Sequence, residues 1–97
     1  MRKITREAYE AFISKEPFAK SNTAVHVAED GDVALFLHGN IIAKQVGGTL
    51  SITSAGYPTN TTKERLNAFP GVSIHQKKGV WFLNDIFWDG SWTEVHN

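Results

Sequence analysis

The chain has no cysteine, one methionine and three prolines, and its ten basic residues cancel its ten acidic ones. Each shortage excludes something. Without cysteine there is neither a disulfide frame nor a thiolate metal centre. A formal charge of zero argues against gripping a bare phosphate backbone by bulk attraction, and against a basic surface held by an acidic mimic of DNA. Only local patches remain open to such partners. No apolar run reaches the length of a signal-peptide core or a membrane span, which predicts a soluble protein that makes no membrane contact and stays where it is made.

What is present fits one α+β domain over residues 1–97, with 41% hydrophobic and 11% aromatic residues. A chain of this length buries roughly two-thirds of its unfolded surface and can fold without a staple. Helical spacing of Ala8, Tyr9, Phe12 and Ile13 predicts a helix over Thr5–Lys15, capped by Thr5 and stopped by Pro17. From Thr23 the period drops to two. Turns at Asp30-Gly31, Gly39-Asn40 and Gly47-Gly48 divide four strands, around Val25, Val33, Ile41 and Thr49, into an antiparallel meander. The second of these is apolar on both faces, which predicts a central strand covered on each side. With Asp30-Gly31 as the turn, His26 lies opposite Leu35.

A second helix is expected from Thr61, where Thr61-Thr62-Lys63-Glu64 reads as a capping box, to Pro70-Gly71. Lys63, Glu64, Arg65 and Asn67 form its wet side. Strands resume at Val72–Gln76, turn at Lys77-Lys78-Gly79, continue through Val80–Leu83, and reverse at Asn84-Asp85 into Ile86–Trp88. Asp89-Gly90 bends the chain before Ser91–Val95. The expected fold is a mostly antiparallel sheet of about six strands in meander order, α-ββββ-α-ββ(β), with two short helices on one face and part of the sheet exposed.

Chemistry is sparse. His26, His38, His75 and His96 show no ligand-like spacing, so no metal is expected. The serines lack a nucleophile elbow, and the carboxylates fall at turns and helix surfaces, where solvation and capping explain them. No catalytic residue and no cofactor is therefore assigned, and the chain reads as a non-enzyme.

Binding signals are stronger. The stretch Gly56–Arg65 combines hydroxyls, amides at a helix start and two cations, an arrangement suited to an anion or to plain helix capping. Tyr57, Thr59, Asn60, Lys63 and Arg65 are its candidate partner-binding residues, and reversing the charge of both Lys63 and Arg65 should leave folding nearly unchanged. Trp81, Trp88 and Trp92 crowd the last third, with Lys77 and Lys78 beside them. Such rings act as interface anchors, as stacking platforms for single-stranded nucleic acid, or as core filling.

Thr59–Asn67, Gly71–Lys77, Trp81–Asn84 and Trp88–Trp92, with Ile4–Tyr9 and Leu37–Asn40, resemble the small accessory proteins carried by tailed bacteriophages. Asn84-Asp85 departs from the Asn-Gly expected at that turn. The resemblance brings no catalytic residues. It implies a viral protein in the host bacterial cytoplasm, where small non-catalytic products bind and redirect or inhibit host proteins. A host protein is thus the expected partner. A nucleic acid, read from Lys63, Arg65, Lys77 and Lys78 around Tyr57 and Trp81, and a second copy of the chain are the alternatives.

Overall fold

A computed structural model describes residues 1–96. Helix α1 (Lys3–Ser14) is followed by β1 (Phe18–Lys20), β2 (Thr23–Val27), β3 (Val33–Leu37), β4 (Asn40–Val46) and β5 (Thr49–Ile52). Then come α2 (Asn60–Leu66), β6 (Ile74–Lys77), β7 (Val80–Leu83), β8 (Ile86–Phe87) and β9 (Thr93–Val95). The expected α+β class and meander hold. Strands β1-β2-β3-β4-β5-β9 form one six-stranded antiparallel sheet, and β6-β7-β8 form a separate three-stranded one.

Turn chemistry sets the register. Four hairpins close through two residues that both have positive φ: His38-Gly39, Gly47-Gly48, Lys78-Gly79 and Asn84-Asp85. This is the geometry whose twist matches paired strands. The β3–β4 turn thus lies one residue earlier than Gly39-Asn40, and Lys77 belongs to a strand. Between β2 and β3 the connection is longer than a tight Asp30-Gly31 turn, because the Asp30 side chain accepts from the amide of Asp32 and Ala28 bonds Asp32. His26 therefore faces Ala34, not Leu35. The short edge strand β1, hidden in sequence by its length, pairs Phe18 with Val25.

One face of the large sheet carries the core. Val25, Leu35 and Ala43 lie side by side in one buried cluster with Ala8 and Phe12 of α1. A bulge in β4 inserts Ile42 between the partners of Leu35 and Phe36, so that adjacent residues Ile42 and Ala43 are both buried. Helix α1 crosses β1, β2 and β3, while α2 rests on α1, β4 and β6. The opposite face has no helix. There Ala34 and Phe36 are only half-buried, so the expected cover on both sides of β3 is absent.

Polar groups correct the helix boundaries. Arg2, not Thr5, occupies the first cap, and Thr5 is buried inside α1. Helix α2 begins after Thr59, whose Oγ1 accepts from the amide of Thr62, so the proposed capping box at Thr61 does not form. Lys63 and Arg65 consequently sit in the last turn, where the helix dipole favours cations.

Arg65 is not on a wet face: it is 2% exposed. Its Nη1 donates to Thr5 Oγ1 at 2.7 Å and to Glu64 Oε1 at 2.9 Å, and its Nε donates to Thr23 Oγ1 at 3.1 Å. Thr5 Oγ1 in turn donates to Glu64 Oε1, and Thr23 Oγ1 donates to Asn22 Oδ1 at 2.8 Å. Glu64 also accepts from the amide of Arg2 at 3.2 Å. The clasp joins α1, β2 and α2, and no buried side-chain polar atom among the described residues lacks a partner. Partial burial pushes the Glu64 carboxyl up, but bonds from Thr5 and the Arg2 amide, with the charges of Arg2 and Arg65, outweigh it and hold it below its ordinary value.

The expectation that reversing the charges at Lys63 and Arg65 spares the fold is therefore corrected. Arg65→Ala should cost about 2–4 kcal/mol in urea denaturation, with Arg65→Lys recovering less than half. Because the Glu64 value is lowered on folding, its contribution is full above the ordinary value of 4.5 and is lost as pH falls through the native value. The stability gap between wild type and Glu64→Gln should shrink over that acid range; a gap constant with pH would contradict the pairing.

Candidate functional site

The small sheet begins where α2 ends. Asn67 uses its side-chain amide as a surrogate strand: Nδ2 donates to the Ile74 carbonyl at 3.0 Å and Oδ1 accepts from the Ile74 amide at 2.7 Å. Asn84 does the same from the next hairpin, accepting from the Ser73 amide and donating to the Gly71 carbonyl, each at 2.9 Å. Local side-chain bonds of this kind hold a sheet too small to be stable alone.

Strand alternation gives the sheet two unlike faces. Ile74, Leu83 and Trp81 point inward and are buried. On the other face His75, Phe82 and Phe87 lie in one cross-strand row, with His75 stacked 5.5 Å from Phe82. Lys77 and Val80 are the next pair along that face. Phe87 is 65% exposed and its neighbour Ile86 71% exposed, both on a two-residue edge strand.

A glycine ties this sheet to the rest. The Gly90 carbonyl accepts from Thr53 Oγ1 at 2.6 Å and from the Ser54 amide at 2.8 Å, fastening the β8–β9 connection to the loop before α2. A Cβ on Gly90 would lie 2.2 Å from Ser54 Oγ, at a φ of +86°, so only glycine fits. The fastening leaves a cleft of about 390 Å³ between Gly56 and Pro58 on one side and Val80, Phe87 and Trp88 on the other. Trp88 is anchored there, with Nε1 donating to Thr93 Oγ1 at 2.9 Å and its ring stacked 6.2 Å from Trp81.

The residues expected to bind a partner are thus divided. Tyr57 is 59% exposed, Asn60 is exposed, and Lys77 and Lys78 are exposed at the β6–β7 hairpin. Thr59 is occupied as the cap of α2. Lys63 is half-buried, with Nζ donating to Gln76 Oε1 at 3.4 Å and lying 6.0 Å from the Trp81 ring. Arg65 belongs to the buried clasp. Trp81 and Trp88 are each 6% exposed and fill the core, whereas Trp92 is 46% exposed on the uncovered sheet face beneath Lys44 Nζ at 4.4 Å. Residues 56–65 and the three indoles accordingly do not make one surface. Sequence reasoning missed Ile86, Phe87 and the row through Phe82. Parity along β7 separates Phe82 from Trp81, but only the inward position of Trp81 says which ring faces out.

Among the described residues no three His, Asp or Glu side chains come together as metal ligands, and no helix is long and apolar enough to cross a membrane. Fold and surface define a small α+β domain with an aromatic row at one end. Residues 1–96 match the family model described as Kyanoviridae Gp96 protein, and the chain belongs to that family of small phage accessory proteins. Neither a search of curated proteins nor one of solved structures finds a match.

Trp81→Ala or Trp88→Ala should cost about 3–5 kcal/mol of stability, against less than about 1 for Trp92→Ala, by chemical denaturation. Iodide quenching should act mainly on Trp92; equal quenching of a Trp92→Phe variant would contradict this assignment.

Proposed function

We propose that this phage protein is a non-enzymatic binding module that docks on a host protein in the bacterial cytoplasm and modulates or inhibits it. The row His75–Phe82–Phe87, with Ile86 at the strand edge, carries the reading. Large apolar side chains on an unpaired edge invite pairing with any passing strand, a liability that proteins suppress unless the surface has a use. Rings of this kind supply most of the energy at protein interfaces, while a polar neighbour such as Lys77, next along the same face, fixes register. The hairpin beneath them is braced by Asn67 and Asn84, so little ordering entropy remains to be lost on binding.

A nucleic acid is the second reading, because Lys77 and Lys78 flank the same row and a ringed sheet face can stack bases. Against it, Arg65 is consumed in the core, and Asp85 lies 3.9 Å from His75, placing negative charge at the row. Self-association through the row is the third.

Phe87→Ser with Ile86→Ser should abolish stoichiometric capture of a host protein from lysate while shifting stability by no more than about 0.5 kcal/mol each. Capture should persist between about 50 and 200 mM salt, a range over which a nucleic-acid complex weakens steeply. Undiminished capture by the double variant, or a captured species that is nucleic acid, would overturn the reading; a concentration-dependent dimer in light scattering that the double variant lacks would favour self-association.

A further inference from the structure

The cleft beside the row combines rings and one charge in its lining. Pro58, Val80, Phe87, Trp81 and Trp88 make it apolar and aromatic, and Asp89 is its one charged residue. Two of the protein's indoles gather cations of their own: Lys44 sits over Trp92, and Lys63 approaches Trp81, itself one wall of the cleft, which is the attraction of an ammonium for a ring quadrupole. Neither lysine lines the cleft, where a carboxylate stands beside Phe87 and Trp88 in place of a cation. A backbone bond from Ser91 to Asp89 Oδ1, at 2.9 Å, holds that carboxyl below its ordinary value. Asp89 is exposed, and a carboxylate offers about four lone-pair sites, so the bonds it accepts from Ser91 and its own backbone do not exhaust it.

We propose that this cleft receives an arginine side chain of the docked partner, its guanidinium held between the aromatic lining and the Asp89 carboxylate. This rests on the docking reading above and names the chemistry of the partner. Arginine suits the site better than lysine because its planar head stacks on rings and forks onto a carboxylate at the same time. The surrounding glycines, Gly56 and Gly79, have open space where a side chain would stand, so the mouth is not obstructed. A wholly apolar occupant, such as a proline-rich segment, would fill the aromatic wall but leave Asp89 unused.

The test follows the Trp88 indole N–H signal by NMR while the full chain is titrated with N-acetyl-arginine amide, N-acetyl-lysine amide and N-acetyl-norleucine amide. The arginine probe should shift Trp88 and the Ser91 amide saturably, with norleucine about tenfold weaker or more. Asp89→Asn, which keeps an oxygen for the Ser91 amide, should weaken the arginine probe about three- to tenfold and flatten its salt dependence. Equal binding of norleucine and arginine, an unchanged Asp89→Asn variant, or no shift with any probe would overturn the proposal. Loss of host-protein capture by the Phe87 and Ile86 variants but not by Asp89→Asn would defeat the arginine assignment alone. Specific arginine binding with no protein captured would instead defeat the docking reading and leave the cleft chemistry standing.

Discussion

A single guanidinium organises this domain. Arg65 is buried at the meeting point of α1, β2 and α2, and every oxygen around it has a defined part in proton accounting. A buried charge is costly unless its donors are matched, so the three elements can meet in few other arrangements. That constraint keeps both helices on the same side of the large sheet. The other face goes without helical cover, and the small sheet projects beyond α2.

The projecting sheet is built by local chemistry. Two asparagine side chains substitute for missing strand neighbours, and two-residue turns with positive φ close both of its hairpins. Gly90 then brings the β8–β9 connection against Ser54 more closely than any side chain would allow. These devices set Phe82 and Phe87 in one outward row while Trp81 and Trp88 fill the interior. Core and surface aromatics are therefore separated by strand parity within a few residues.

Much of the architecture was legible from alternation and turn residues, because those signals are local. The Gly47-Gly48 and Asn84-Asp85 turns, the α+β class and the meander all follow from them. What escaped was long-range polar pairing. Thr5 and Arg65 lie sixty positions apart in hydrogen-bonded contact, and nothing near either residue advertises the other. A threonine near a helix start reads as a cap, and a basic residue on a short helix reads as solvated, until the fold brings them together. The site was misread for the same reason: the side of a strand on which a ring lies depends on which of two neighbours the distant helices cover.

Membership of a phage family supplies context for an exposed aromatic row, while the clasp explains why this row, not the Tyr57–Arg65 segment as a whole, is available to a partner. The most direct measurement of that account is the NMR signal of the Arg65 side chain. A guanidinium held by Thr5, Thr23 and Glu64 should give a resolved Nε–H resonance that exchanges slowly with water at neutral pH. A rapidly exchanging resonance, like those of solvent-exposed arginines, would place Arg65 on the surface and remove the constraint on which the arrangement depends.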